Sequence, residues 1–237
     1  PANLRDSGAC LQSSLLPVRW IAVSFLSCMP DHESIEIPDT IPLMVLPCTL
    51  FPHSLMPLFI FEPRYREMLR TALEAERFFC IGTCDPDSDP DHGDRAISPV
   101  STAGLVRACV THDDGTSHLL LLGTQRVRFV DWLQREPFRI ARIEPVACEV
   151  EDPALATQLA IEAVDLVSGM AGEGAAMSEK VHEHLRSVDD PSTIADVIAH
   201  SFVTDPRQRQ ELLETREVSE RLHRLSRFLQ ARIADQS

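Results

Sequence analysis

The chain reads as an α+β protein: a small, strongly twisted β-barrel with one packed helix, followed by an α-helical bundle lobe. Three observations predict this. Ile41–Leu69 (IPLMVLPCTLFPHSLMPLFIFEPRYREML) places two short apolar runs between prolines and leads straight into an amphipathic pattern. Asp113-Asp114-Gly115 lies between two apolar segments, and Asp-Gly there signals a hairpin. Beyond Pro153 the apolar residues take helical spacing, and two Asp-Pro pairs mark helix starts.

The strand residues come first. Leu43, Val45 and Leu46, then Leu58, Phe59, Ile60 and Phe61, are bounded by Pro42, Pro47, Pro52 and Pro57. Short runs punctuated by proline suit half-buried strands of a small barrel better than long central ones. Pro63 suits a first helical position, where its missing N–H has no partner to lose. Tyr65, Met68, Leu69, Ala72 and Leu73 then repeat at helical spacing, which predicts a helix over Arg64–Ala75. An Arg–carboxylate contact within the segment Glu62 to Arg66 is expected to fix the strand–helix corner. Residues 41–147 form the barrel and residues 148–237 the helical subdomain. In the latter, Pro153–Val167 is one helix, Gly169–Gly174 a turn, and Asp190-Pro191 and Asp205-Pro206 start two more. A stripe of Leu212, Leu213, Leu222, Leu225, Phe228, Leu229 and Ile233 marks the last.

One segment resembles a known family. Pro57, Leu58, Phe61, Glu62, Pro63, Arg64, Tyr65 and Arg66 match the Pro-Leu-x-x-Phe-Glu-Pro-Arg-Tyr-Arg wording of the N-terminal, substrate-recognition domain of Lon proteases. Gly123, Arg126, Arg128 and Phe129 match that family's Gly-x-x-Arg-x-Arg strand entry. Ser101–Val110, His118–Val130 and Pro137–Val146 look like its further barrel strands, the last closing the barrel. Glu211–Leu229 is similar to its terminal helix. The likeness spans Ile41 to Ile233. It departs at His53, where the family has glycine, and at Thr116, where a basic residue follows the turn. The resemblance implies a PUA-like pseudo-barrel. It also implies a role in protein quality control, with unfolded or misfolded polypeptide as ligand and a protease or chaperone system as possible company.

Full-length Lon proteases carry an ATPase and a Ser–Lys peptidase after this region. No G-x-x-x-x-G-K-[ST] loop occurs here to cradle phosphates. Lys180 is the only lysine, and Glu179 and Glu183 flank it, which favours a protonated ammonium over an activated amine. The chain is therefore expected to be a freestanding recognition domain and not an enzyme, with no cofactor and no metal.

Composition agrees with a soluble domain: 44% hydrophobic residues and a formal charge of −14. That charge disfavours a nucleic-acid partner. Between Glu149 and His200 eleven acids face Lys180 and Arg186, whereas from Asp205 to Ile233 seven arginines face five acids. Pairs such as Glu217–Arg221 and Glu220–Arg224 are expected to balance the final helix at i, i+4 spacing. Seven scattered cysteines (Cys10, Cys28, Cys48, Cys80, Cys84, Cys109, Cys148) without a CxxC pair argue for reduced thiols and a cytoplasmic location. Cys109 and Cys148 read as small core residues. Residues 1–40 read as a flexible arm, or as an upstream start with Met29 the true initiator. A weak secretory signal in Trp20–Leu26, ending at Cys28, fits less well, and the run is too short to span a bilayer.

Metal and catalytic patterns fail on inspection. Asp85–Asp94 suggests a calcium loop, but Pro90 and Ala96 occupy the glycine and bidentate-glutamate positions. His182 and His184 fall on different helix faces. His112 and His118 flank the Asp-Gly turn and approach each other across the hairpin, without a third ligand. For polypeptide binding, the candidates are the Phe51–Leu58 turn, with Leu55 and Met56 at its tip, and the barrel–helix junction at Phe61 and Tyr65. A bound chain would add to an open strand edge or insert its side chains into an apolar surface. Alternatives are an RNA-binding barrel using Arg107, Arg126, Arg128, Arg139 and Arg142, and a small-molecule barrel or hydrolase with a deep apolar pocket. No membrane partner is expected, and the oligomeric state is left open.

Overall fold

The computed structural model describes residues 36–84, 97–169, 185 and 187–235. Residues 1–35 of the N-terminal arm, the Asp85–Asp94 segment, Lys180, His182, His184 and the turn after Gly169 lie outside the described residues. The elements run β1 (Thr40–Leu46), β2 (Leu55–Ile60), α1 (Pro63–Glu74), β3 (Phe78–Thr83), β4 (Val100–Thr111), β5 (Ser117–Gln134), β6 (Arg139–Pro145), α2 (Pro153–Gly169), α3 (Pro191–Phe202), α4 (Pro206–Glu214) and α5 (Val218–Asp235). This is the α+β architecture expected: a barrel with one packed helix, then helices.

The strand order is β2-β5-β4-β3-β1-β6, and β6 pairs back onto β5. That second pairing closes a ring of five strands and leaves β2 alongside the first part of β5. β1 and β3 run parallel, and the other pairs are antiparallel. The 18-residue β5 serves three neighbours because bulges at Thr124, Val130 and Leu133 bend it, and β4 carries a matching bulge at Arg107. Each bulge adds a residue on one side and sharpens the local twist, which lets so few strands close.

β3 was not foreseen. Its six residues are all buried, with Phe78 and Cys80 in one apolar cluster and Phe79 and Ile81 in another. A strand covered on both faces shows a continuous apolar run without alternation. Helix α1 follows the expected pattern. Pro63 opens it, and Tyr65, Met68, Leu69 and Ala72 are buried against the barrel, each large side chain contributing roughly 1.5–3 kcal/mol. The expected corner contact is made by Arg64, which reaches the Glu62 carboxylate at 2.8 Å. Arg66 instead lies over the hairpin turn at Gly115.

In the helical lobe, the Asp190 side chain accepts from the Ser192 and Thr193 amides and that of Asp205 from the Gln208 amide, so both Asp-Pro pairs are N-caps as expected. Glu211–Leu229 is not one helix. It breaks over Thr215–Glu217 into α4 and α5, so Leu212 and Leu213 belong to the earlier helix. The Val218 amide donates to the Glu149 carbonyl, and the Glu217 carboxylate accepts from the Ser219 and Glu220 amides. Glu217 is thus a cap and does not pair with Arg221, whose side chain turns inward; Glu220–Arg224 does form.

Polar contacts join the lobes. Arg126 of β5 donates to the Leu213 carbonyl at 3.0 Å, Gln210 to the Val100 carbonyl at 2.9 Å, and Arg209 to the Thr49 carbonyl at 2.8 Å. Arg126 also forms a bidentate pair with the enclosed carboxylate of Asp196.

Candidate functional site

Among the described residues strand β2 takes a ladder partner on one side only, β5. Along it Met56 and Ile60 point into the core with Leu58 packed beside them, so Pro57 and Phe59 face outward. The register sets Phe59 opposite His118 of β5, and His118 opposite Val110 of β4. Directly opposed residues share a face, so these three form a row across three strands. Phe59 and Val110 are 47% and 61% exposed, and Phe61, just past the strand end, is 50% exposed. The Phe59 and Phe61 rings stack with centroids 5.8 Å apart, and Phe59 lies 4.6 Å from the His118 ring.

The hairpin extends this row. Gly115 has φ +78, the Gly115 amide donates to the His112 carbonyl, and the Asp114 carboxylate accepts from both the amide and hydroxyl of Thr116. Those bonds hold the Asp114 carboxyl below its ordinary range. Across the turn His112 Nε2 lies 2.9 Å from His118 Nδ1, the approach expected from the sequence. Among the described residues no third metal-ligating side chain joins them.

The residues singled out from the sequence do not form one surface. Phe51 is fully enclosed among the helices, with the Arg209 guanidinium 5.2 Å from its ring centroid. Met56 and Tyr65 are buried in the barrel cluster, and Leu58 is half-buried against it. Leu55 and Met56 are not at a turn tip but inside β2, paired with Leu122 and Leu121. The turn itself is tightened at His53, whose φ of +60 is the left-handed region that explains why glycine suits this position. Phe61 alone of the six is prominently exposed, and the residues it joins are Phe59, His118 and Val110. The alternation of β2 held the signal for Phe59, and the Asp-Gly hairpin held it for the histidines.

Two of the five arginines proposed for a nucleic-acid surface are committed to carboxylates. Arg126 is 2% exposed and committed to Asp196, while Arg128 pairs with Glu144 at 3.1 Å. The cavity between β3 and helices α4 and α5, about 640 Å³, is an open groove lined by glutamates and arginines, among them Glu211, Glu214 and Arg224. It is not the deep apolar pocket that a small-molecule barrel predicts. Among the described residues no helix is long and apolar enough to cross a membrane.

Comparison with known proteins agrees with this architecture. The model of the family described as the ATP-dependent protease La (LON) substrate-binding domain matches residues 40–231. The chain is 27% identical to the Lon protease of Dictyoglomus thermophilum over 84% of its own length and 25% of the relative's. It is 29% identical to Lon protease 2 of Herpetosiphon aurantiacus over 85% of its length and 25% of the relative's. The chain thus spans about a quarter of the curated relatives it matches. In three dimensions it is similar to the N-terminal domain of the Mycobacterium avium complex Lon protease, with TM-score 0.65 and 17% identity over 81% of this chain and 98% of that one. A Lon N-terminal domain protein from Xanthomonas campestris gives TM-score 0.56 and 20% identity over 80% and 98%. The matched region is the substrate-binding domain alone, not an ATPase or protease domain. The chain belongs to the LON substrate-binding domain family.

Proposed function

We propose that this region binds unfolded or misfolded polypeptide, without chemistry of its own, on the outward face of β2, β5 and β4. The observation that carries the reading is the exposed row Phe59–His118–Val110 with Phe61 stacked at its end. Two exposed phenylalanines in ring contact offer apolar area that folding has left unused, and an unfolded chain supplies apolar side chains to cover it. Recognition by side-chain insertion is favoured over strand addition. Pro57 lacks an amide for an added strand, and the Leu55 carbonyl already accepts from His200. Of the residues singled out from the sequence, Phe61 remains in the binding surface. Phe51, Leu55, Met56, Leu58 and Tyr65 act through the framework that holds it.

The test is fluorescence anisotropy with three labelled probes: an unfolded polypeptide, the same sequence in a folded host, and a structured RNA. Each is titrated at low and moderate salt. Saturable binding to the unfolded probe alone is expected, weakened at least about tenfold in a Phe59→Ser/Phe61→Ser double variant. Its melting temperature should stay near that of the parent, because both side chains are solvent-exposed. Undiminished binding by that variant would move the site elsewhere. Salt-sensitive binding to the RNA probe would replace the reading with a nucleic-acid one.

A further inference from the structure

Beyond the recognition face, the seam between barrel and helices holds two guanidiniums for one carboxylate. Arg126 and Arg221 are 2% and 0% exposed, and Asp196 is 1% exposed. Asp196 accepts from both terminal nitrogens of Arg126, at 2.6 and 2.5 Å, and from Arg221 Nη1 at 3.1 Å. Their other oxygen acceptors are neutral: the carbonyls of Leu213, Thr215 and Arg216 and the hydroxyl of Ser192. Among the described residues, one positive charge in this enclosed site therefore lacks a carboxylate partner, and buried charges persist when paired. Glu149, the neighbouring acid in sequence, is engaged by Arg216 on the surface instead.

The remaining group that faces both guanidiniums is the sulfur of Cys148. Arg221 Nη2 donates to it at 3.2 Å, Arg126 Nη1 at 3.7 Å and the Ser192 hydroxyl at 3.6 Å. Guanidinium nitrogens have no lone pair to accept an S–H, so this arrangement suits a sulfur that only accepts. The sequence pattern predicts a core cysteine here; the residue is exposed, at the rim of a buried cationic pair.

We propose that Cys148 is a thiolate at neutral pH, completes the charge of the Arg126–Asp196–Arg221 cluster, and is an oxidation site for hydroperoxide-class oxidants. Burial pushes the thiol up, but the Arg221 and Arg126 guanidiniums outweigh it and hold Cys148 below the usual thiol value. Cys80, fully enclosed and without a cation beside it, is pushed up to about 12 by burial. In the oxidation, the Cys148 sulfur attacks one peroxide oxygen and an S–O bond forms as the O–O bond breaks. The attacked oxygen keeps its hydrogen, and the leaving hydroxide or alkoxide takes one proton from solvent to become water or an alcohol. Sulfur loses two electrons to give the sulfenic acid, and the peroxide gains them.

The test is the pH dependence of iodoacetamide labelling of the full chain, followed by peptide mapping, with sulfenic acid trapped by dimedone after hydrogen peroxide. Cys148 should label at a rate almost flat above pH 7, and dimedone should mark it ahead of Cys80. A Cys148 rate that still rises about tenfold per pH unit up to 8.5, as for an ordinary thiol, overturns the assignment. Charge is tested separately by thermal unfolding. Cys148→Asp should hold the parent midpoint and Cys148→Ser should fall below it; an equal loss in both removes the electrostatic role.

Discussion

The Tyr65 hydroxyl oxygen lies 3.2 Å from the Val45 amide nitrogen and 3.4 Å from the Val45 carbonyl oxygen. β6 pairs with β1 only as far as Leu43, so on that side Val45 has no strand partner, and a side chain from α1 takes the place of a ladder residue. Tyr65→Phe keeps the ring in the core but takes the hydroxyl partner from a half-buried amide and carbonyl. The expected loss is about 1–3 kcal/mol, measured by urea unfolding as a lower midpoint at unchanged slope. An unchanged midpoint would mean that water substitutes for the hydroxyl.

Asp196→Asn tests the seam. The substitution preserves shape while removing the one carboxylate shared by two enclosed guanidiniums, so a loss of about 3–5 kcal/mol is expected. Glu144→Gln breaks an ion pair whose side chains are 59% and 58% exposed, and should change stability by less than about 0.5 kcal/mol. Comparing the two thermal midpoints checks both expectations. Similar effects would mean that the buried cluster is no more valuable than a surface pair.

Gly123 matters for close approach. A Cβ there would lie 2.0 Å from the carbonyl oxygen of Phe51, a backbone atom that cannot swing aside. The amide of Gly123 also donates to the Ser54 carbonyl, and its carbonyl accepts from the His53 amide, so the β1–β2 connection is laced to β5 at this point. Gly123→Ala should destabilise by at least about 1–3 kcal/mol. Gly169, with no atom within 4 Å of an added Cβ, should tolerate alanine with no loss or a gain of up to about 1 kcal/mol. Equal melting temperatures for the two variants would refute the steric argument.

These contacts show what the sequence could and could not disclose. Helix α1 was legible because Pro63 and the Tyr65–Met68–Leu69–Ala72 spacing are local. The same is true of the Asp190 and Asp205 caps. The break between α4 and α5 was hidden: Thr215-Arg216-Glu217 holds no glycine or proline, and the leucine stripe continues through it. What ends α4 there is distant in sequence. The Glu149 carbonyl takes the Val218 amide, and buried Arg221 collects the carbonyls of Thr215 and Arg216. The exposed row on β2, β5 and β4 was hidden for a related reason. Apolarity alone singled out Met56 and Tyr65, whereas only register reveals that Phe59, His118 and Val110 share an outward row.

His200 makes the seam sensitive to acid. It lies in the last turn of α3, its ring hydrogen-bonds the Leu55 backbone, and Nδ1 lies 3.2 Å from Arg209 Nη2. Because the guanidinium can only donate, Nδ1 accepts and the ring is neutral. Burial, reinforced by the Arg209 charge, lowers its pKa from 6.5 to about 4. The unfolded chain therefore takes up a proton as pH falls through 6.5, while the folded chain does so only near 4. Between those values the unfolded state binds more protons, so this contribution is fully present above 6.5, declines as pH falls and levels off below 4. The loss amounts to about 3 kcal/mol at most. His200→Gln keeps a donor for Leu55 and an acceptor for Arg209 but does not titrate. Urea unfolding of both proteins from pH 7 to pH 4 should show the parent losing more stability than the variant across that window. Parallel curves would exclude His200 as the source of the acid sensitivity.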